Sequence, residues 1–222
     1  MKRVLITGAN RGIRKATAEK FLAEGWEVVG TSTKGTGFAH EHISWFKLDL
    51  TDAESIAAAV AAVKAGGPVD VLIDNAGIWD EDEEREGTTV SMPVLRKILE
   101  VNLIGTIDFT ERMLADHLVR EGGRILFTGS MSGVISGEKV GDLVPAYKIS
   151  KVGLGMFSRT LATRLEPSHI TVAILDPGWV KTDMGGEEAP RAPEEPAKEF
   201  FDLATAEIPT GQFWREGQVR NW

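Results

Sequence analysis

Tyr147 is the only tyrosine in the chain, and Lys151 follows it four residues later. In a helix this spacing places both side chains on one face. A phenol has a pKa of roughly 10, so it is a poor general acid or base at neutral pH unless a nearby cation lowers that pKa. Lys151 can supply the cation. The pair indicates acid–base chemistry, with chance as a fair alternative because lysine is common.

Two further polar residues fall where they could join this pair. Ser130 lies in the stretch TGSMSG after a predicted strand, and its hydroxyl could hold a substrate oxygen. A serine between glycines is also an ordinary turn residue. Asn102 lies inside a predicted helix, in EVNLIG, where the alternative is a solvated surface position.

A glycine-rich turn, TGANRGIR at residues 7–14, follows the first predicted strand and opens a helix. Gly8 permits the tight turn, and amides at a helix N-terminus favour an anionic pyrophosphate. Arg14 stands where a third glycine is expected. Either its side chain points to solvent or adds charge near a phosphate, or the position needs a positive φ and is strained. The sequence predicts weakened but real binding, which Arg14→Gly should tighten.

Two shorter motifs end other predicted strands. In NAG at 75–77 the glycine lets the backbone approach a ligand, and a routine turn is the alternative. In DLTD at 49–52 Asp49 could meet an adenine, whereas Asp52 is better explained as a helix cap.

Short apolar runs alternate with helical patterns along the whole chain. Because continuous apolar strands that are each followed by a helix form parallel sheets covered on both faces, we predict one α/β domain over residues 1–222, a Rossmann-type doubly wound parallel sheet with helices on both faces. Six strands are predicted, at 4–8, 26–32, 43–50, 69–77, 122–130 and 169–178. The main helices are predicted at 14–24, 51–67, 94–118 and 147–166, with a loop at 185–199 before a last helix.

Composition narrows the possible partners. The formal net charge of −8 argues against nucleic acid, which needs a basic face. No apolar run is long enough to span a bilayer, and the N-terminus enters a strand without room for a signal peptide. The chain has no cysteine, and its four histidines show no metal-ligand spacing, so no metal is expected. We expect a cytoplasmic protein.

The order of these motifs carries the most information. TGxxxG, D-L, NAG, VN, Ser, YxxxK and PG follow one another from Arg3 to the C-terminus, and together they resemble the short-chain dehydrogenase/reductase family. The stretches PGWVKTDMGG (177–186) and PTGQFWREG (209–217), followed by Trp222, are similar to its carbonyl-reductase-like branch. The resemblance implies an enzyme that interconverts a ketone or aldehyde and an alcohol by hydride transfer.

The resemblance also implies roles for individual residues. Tyr147 would give its proton to the substrate oxygen, Lys151 would lower the phenol pKa and bind the nicotinamide ribose, Ser130 would hold the carbonyl, and Asn102 would bind a water that links Lys151 to solvent. The implied cofactor-binding residues are Thr7, Gly8, Asn10, Arg11, Gly12, Ile13, Asp49, Leu50, Asn75, Ala76, Gly77, Tyr147, Lys151, Pro177, Gly178 and Thr182.

Three features depart from the family pattern. Arg14 replaces the third glycine, and Asp74 replaces the usual asparagine before NAG. The spacing from Ser130 to Tyr147 is longer than usual, so residues 137–145 resemble a small insertion, and Ser132 is the alternative to Ser130.

The end of the second strand bears on cofactor choice. Enzymes that prefer NAD usually place a carboxylate there for the ribose 2′-hydroxyl. This strand ends GTSTK (30–34) without one, and Arg11 is placed to pair with a 2′-phosphate, so NADP(H) is favoured over NAD(H). Ordinary surface charge is the alternative reading of Arg11 and Lys34.

Other expectations concern partners and the rival function. The acidic run at 80–87 is expected to be a solvated loop, with recognition of a basic substrate or partner as the alternative. The short loop after PGW predicts an open pocket with broad substrate acceptance. The helix at 153–165 could pack in a homodimer or homotetramer, and a monomer stays open. The rival function is a non-catalytic nucleotide-binding or scaffold protein whose cofactor site is weakened by Arg14.

Overall fold

In the computed structural model, which describes residues 1–80, 90–136 and 144–222, the strands form a single eight-stranded sheet. The strands are Arg3–Ile6 (β1), Glu27–Ser32 (β2), Ile43–Lys47 (β3), Val69–Asp74 (β4), Val119–Thr128 (β5), Thr171–Leu175 (β6), Gln212–Arg215 (β7) and Gln218–Arg220 (β8). Their order is β3-β2-β1-β4-β5-β6-β7-β8, and every neighbouring pair is parallel except β7 with β8. The predicted doubly wound parallel fold is confirmed.

Helices cover both faces of the sheet. They are Gly12–Ala23 (α1), Ala53–Ala65 (α2), Met92–Leu99 (α3), Gly105–Ala115 (α4), Pro145–Leu165 (α5) and Glu194–Thr205 (α6), with a π-helical segment at Glu100–Ile104 between α3 and α4. Val4 and Ile6 of β1 pack in the cluster that holds Phe21 and Phe200, whereas Leu5 packs in the opposite cluster. Because alternate side chains of β1 are buried on opposite faces of the sheet, every residue of its apolar run is in a hydrophobic core.

The strand order reverses at β1. From there β2 and β3 lie on one side and β4, β5 and β6 on the other. Ligands of such sheets bind outside the carboxyl ends of the strands at this reversal. The polar residues that follow β1, β4, β5 and β6 therefore converge at one edge.

Several predicted boundaries are wrong. Strands β7 and β8 were not predicted, since both are short and Gly211 and Gly217 flank β7. The single helix predicted at 94–118 is broken by the π-helical segment, and α6 begins inside the predicted loop at 185–199. The Asp52 cap is confirmed, because its carboxylate accepts a hydrogen bond from the Glu54 amide at 3.0 Å. Most of the acidic run at 80–87 and of the insertion at 137–145 lies outside the described residues.

The C-terminal hairpin ends against α5. The ring of Trp222 lies 5.5 Å from that of Phe213, and it would come within 2.8 Å of a Cβ on Gly155. Gly155 is thus the position that lets the terminal tryptophan approach the helix. Within the stretch suggested as an interface, Leu154 and Leu161 are buried in this chain's own core, and Met156 is exposed.

Candidate active site

A cavity of about 620 Å³ opens at the carboxyl ends of the central strands. Of the residues singled out from the sequence, it is lined by Arg11, Gly12, Ile13, Arg14, Asn75, Gly77, Ser130, Ser132, Tyr147, Lys151, Pro177, Gly178 and Thr182. The structure thus brings together, in one place, motifs that are separated by more than half of the chain.

Tyr147, Ser130 and Lys151 form the centre of this cavity. The Ser130 hydroxyl is hydrogen-bonded to the Tyr147 phenol and also accepts a hydrogen bond from the Ser132 amide at 3.1 Å. Nζ of Lys151 lies 5.4 Å from the centroid of the phenol ring and donates to the Thr128 carbonyl at 2.9 Å. Of the two candidate serines, Ser130 is therefore the one whose hydroxyl meets the tyrosine.

The electrostatics of the pair differ from the sequence-based expectation. Burial raises the pKa of Tyr147 to about 12, although the Ser130 hydrogen bond acts in the opposite direction, and Asp176 raises it further. The net pKa of the phenol lies above its ordinary value because the loss of water outweighs the favourable hydrogen bond, and the lowering by Lys151 stays a prediction. Burial lowers the pKa of Lys151 to about 8, with a further lowering by the charge of Arg14, and Asp176 acts against it. The phenol is protonated at neutral pH, as a proton donor must be.

Asn102 is buried at the π-helical segment, so the solvated-surface alternative is wrong. Its Nδ2 donates to the Ile78 carbonyl at 2.9 Å and to Ser150 Oγ at 3.2 Å, and its Oδ1 accepts from the Ile78 amide at 2.8 Å. Ser150 Oγ donates in turn to the Tyr147 carbonyl at 2.6 Å. Asn102 thereby joins the chain after NAG to the helix that carries Tyr147. Such π-turns are frequent at functional sites.

The side chain of Thr7 links the start of the glycine-rich turn to the end of β4. Its buried hydroxyl accepts hydrogen bonds from the amides of Asn75 and Ala76, both at 3.0 Å, which tie the ends of β1 and β4 together. Gly8 and Gly12 have φ of 68° and 55°, a region that favours glycine. Arg14 has no positive φ, so the strained alternative for this residue is excluded.

The guanidinium of Arg11 is paired with a carboxylate rather than free. Its Nη1 lies 2.9 Å from Asp183 Oδ2, and both side chains are exposed, which makes the pair weak and exchangeable. The loop that carries Asp183 also covers the turn, since Thr182 Cγ2 lies 3.1 Å from the position of a Cβ on Gly12.

Asp49 and Leu50, the two residues predicted to contact the adenine, do not line the cavity. The Asp49 carboxylate accepts hydrogen bonds from the amide and hydroxyl of Thr51, at 2.9 and 2.7 Å. The Leu50 carbonyl lies 2.0 Å from where a Cβ on Gly105 would be, so this backbone meets α4 at a position that requires glycine. Thr7, Gly8, Asn10, Ala76 and Asn102 also stand outside the cavity lining.

Sequence reasoning missed several residues of the site. Trp79 packs edge-on against the Tyr147 ring with centroids 5.1 Å apart. Buried Asp176 pairs with Arg215 at 3.3 Å, and its Oδ1 accepts from the Gly178 amide at 3.0 Å. The signal for Asp176 was a carboxylate at the end of an apolar strand, directly before PG. Arg215 gave no such signal because β7 itself was missed.

The comparisons with known proteins identify the family. The family model of the short chain dehydrogenases matches residues 2–192. This chain belongs to that family. The short-chain dehydrogenase is 31% identical over 192 residues to the 3-oxoacyl-[acyl-carrier-protein] reductase FabG of Escherichia coli, an alignment that covers 82% of this chain and 75% of that protein. It is 32% identical over 182 residues to the reductase MabA of Mycobacterium tuberculosis, with coverage of 82% and 70%.

Solved structures agree with this assignment. A putative short-chain dehydrogenase/reductase from Burkholderia multivorans with bound NADP superposes with a TM-score of 0.89 at 27% identity, covering 100% of this chain and 99% of that one. An NADPH-bound carbonyl reductase from chicken fatty liver gives a TM-score of 0.88 at 27% identity with the same coverage. The chain is thus an oxidoreductase of the short-chain dehydrogenase type.

Neither a membrane-spanning helix nor a metal site is found in the part of the chain that is described. No helix there has the length and apolar character that a membrane crossing needs. Nor do residues 1–80, 90–136 and 144–222 contain a group of three His, Cys, Asp or Glu side chains placed to hold a metal ion.

Proposed function

We propose that this protein is an NADP(H)-dependent oxidoreductase that interconverts a ketone or aldehyde and an alcohol. The observation that carries the proposal is the position of the Tyr147 phenol, hydrogen-bonded to Ser130 and next to Lys151, at the wall of the cavity. A scaffold protein has no chemical need for this arrangement. The arrangement therefore favours the enzyme over the rival non-catalytic function.

The residues present fit a dinucleotide. Nδ2 of Asn75 and Oγ1 of Thr128 are buried without a hydrogen-bond partner among the described residues, and both residues line the cavity. Unsatisfied buried donors are costly, and a ligand that carries acceptor atoms would satisfy them. The residues that would hold the dinucleotide are those of the glycine-rich turn, Asn75, Gly77, Tyr147, Lys151 and the loop at 177–182. When bound, the dinucleotide supplies a hydride from C4 of its nicotinamide to the carbonyl carbon.

The chain's own residues handle the substrate oxygen and its proton. Ser130 and Tyr147 donate hydrogen bonds to the carbonyl oxygen, which orients and polarises it. Tyr147 then transfers its proton to that oxygen as negative charge develops. The adjacent Lys151 ammonium stabilises the phenolate that remains. Asn102 holds the helix of Tyr147 against the chain after NAG, so the donor keeps its place.

Preference for NADP(H) is part of the proposal. The end of β2 offers Ser32, Thr33 and exposed Lys34 but no carboxylate for a ribose 2′-hydroxyl. Arg11 can exchange its exposed partner Asp183 for a 2′-phosphate, because a bidentate phosphate contact is stronger than an exposed ion pair. Bound NADP and NADPH in the Burkholderia and chicken proteins support the same choice.

The substrate we propose is uncharged and apolar. Exposed Met131, Trp179 and Met184 line the cavity together with Trp79, which adjoins the phenol. An apolar wall beside the proton donor favours bulky free ketones or aldehydes, and its openness favours broad acceptance. The related FabG and MabA proteins are named as reductases of carrier-bound 3-oxoacyl groups, so a 3-oxoacyl thioester belongs in the same test. The proposed location is the cytoplasm.

The test is a panel of aromatic ketones, aliphatic aldehydes and a 3-oxoacyl thioester, with NADPH consumption followed by absorbance. Wild-type protein should reduce several free carbonyls. Tyr147→Phe should lower kcat by at least about 100-fold, because it removes the proton donor while it leaves the ring packed against Trp79. NADPH binding to the variant, measured by fluorescence, should change little. Turnover by Tyr147→Phe at the wild-type rate would refute the mechanism, and a single strongly preferred thioester would refute the substrate class.

A further inference from the structure

The charges that line the cavity do not balance. Among the described residues, four cationic side chains and two carboxylates line it, namely Arg11, Arg14, Lys151, Arg215, Asp176 and Asp183. Asp176 pairs with Arg215 at 3.3 Å and Asp183 with Arg11 at 2.9 Å. Among the described residues, this leaves Arg14 and Lys151 as the two cations without a carboxylate partner. The described part of the cavity lining therefore carries more positive than negative charge, in a protein whose formal net charge is −8.

Arg14 supplies this charge at the glycine-rich turn. Its side chain crosses the face of Gly8, with Nη1 3.0 Å and Cδ 3.2 Å from where a Cβ of Gly8 would be. Arg14, not Gly8, forms this part of the cavity wall. The guanidinium thus lies inside the cavity rather than in solvent, in the first turn of α1, whose free amide groups also favour an anion.

The environment of Arg14 disfavours its positive charge. Burial lowers the pKa of Arg14 to about 10, and the neighbouring charge of Arg11 lowers it further, with only Asp183 acting in the other direction. Arg14 in turn lowers the pKa of Lys151. A group that is charged but poorly compensated is stabilised by any anion that enters the cavity beside it.

We propose that the guanidinium of Arg14 binds the pyrophosphate of the dinucleotide, in place of the close backbone approach that a third glycine would allow. The inference rests on the proposed function and adds a binding residue to it. The Arg14 guanidinium supplies a positive charge that the two negative charges of a pyrophosphate can neutralise. This reverses the sequence-based expectation for Arg14, since removal of the side chain should weaken cofactor binding rather than tighten it.

The direction in which NADPH affinity changes when Arg14 is replaced shows whether Arg14 binds the pyrophosphate or only fills space. If Arg14 only fills space over Gly8, a smaller or uncharged side chain will tighten binding. If it binds the pyrophosphate, Arg14→Met will weaken NADPH binding by about 10- to 100-fold, the loss expected for one hydrogen bond to a charged group. Arg14→Lys should recover part of the affinity, since it keeps the charge without the planar fork.

The experiment is a fluorescence titration of wild type, Arg14→Met, Arg14→Lys and Arg14→Gly with NADPH. Arg164→Met is the matched control, because Arg164 is an exposed arginine that pairs with Glu111 outside the cavity lining. This control should bind as wild type does. Inorganic pyrophosphate should compete with NADPH on wild type and lose most of that ability on Arg14→Met.

The outcomes distinguish the two proposals. Weaker binding in Arg14→Met and Arg14→Gly, with partial recovery in Arg14→Lys, supports Arg14 as a pyrophosphate ligand. Equal or tighter NADPH binding by Arg14→Met, while wild type binds, overturns the role of Arg14 and leaves the proposed function standing. Failure of folded wild type to bind either NADPH or NADH overturns the proposed function, and the inference with it.

Discussion

Replacement of Asp74 by asparagine should remove a pH dependence from the stability of this protein. Asp74 ends β4 directly before the NAG turn, and only 3% of its surface is exposed. Burial raises the pKa of its carboxyl to about 7 from the ordinary 3.8, and the hydrogen bond from Thr110 acts in the opposite direction. The folded protein therefore keeps this proton over a range in which the unfolded chain has lost it.

The hydrogen bonds around Thr110 are consistent with a neutral partner. Thr110 Oγ1 lies 2.8 Å from Asp74 Oδ2 and 2.8 Å from the Thr106 carbonyl. One hydroxyl hydrogen cannot serve both acceptors fully. When Asp74 is protonated it can donate to Thr110, which then donates to Thr106, so both hydrogen bonds form. An asparagine amide makes the same donation without a charge, which is why this substitution isolates the ionisation.

The sign and size follow from proton linkage. A carboxyl whose folded pKa is raised binds more protons in the folded state, so stability falls as the pH rises from the unfolded pKa to the folded one. Between pH 5 and pH 7 the cost is about 1.4 kcal/mol per pH unit, or about 3 kcal/mol in all. Above the folded pKa of about 7 the loss levels off.

Urea denaturation followed by tryptophan fluorescence, at pH 5 and pH 8, provides the assay. The free energy of unfolding of Asp74→Asn minus that of wild type should grow by about 3 kcal/mol between these pH values. Asp116→Asn is the control, since Asp116 is an exposed partner of Lys64 whose loss should cost less than about 1 kcal/mol. Parallel curves for wild type and Asp74→Asn between pH 5 and pH 8 would refute the reasoning.

Two further predictions concern the residues around the phenol. Ser130→Ala should lower kcat for a free ketone by about 100-fold because it removes a donor to the carbonyl oxygen, whereas Ser132→Ala should retain most activity; equal losses measured by steady-state kinetics would contradict the assignment. Asn102→Ala should lower the free energy of unfolding by about 2–4 kcal/mol, since it leaves the Ile78 backbone groups unpaired. A urea midpoint equal to that of wild type would contradict this.

The central part of the fold was predictable because it is encoded locally. Continuous apolar runs such as VLI at 71–73 predict buried parallel strands, and the polar residues after them must meet at the carboxyl edge. The placement of Asn75, Ser130 and Tyr147 around one cavity follows from that topology. The order of motifs along the chain predicted the family to which the protein belongs.

The remaining features depend on long-range packing. The π-turn at Asn102 has no local signal, and it arises where the helix must turn one polar side chain onto Ile78. Short β7 owes its place to pairing with β6, and only that pairing brings Arg215 to Asp176. The direction of the Arg14 side chain was equally undecided, because two rotamer families, toward solvent or toward the cavity, suit the first turn of a helix.

The most direct test of the account is transfer of label from the cofactor. Wild-type protein is mixed with NADPH that carries deuterium at the transferable C4 position and with an apolar ketone, and the product is analysed by mass spectrometry. The account predicts deuterium in the alcohol with wild type and almost none with Tyr147→Phe in the same time. Absence of labelled alcohol from every carbonyl of the panel, with protein shown to be folded, would contradict it.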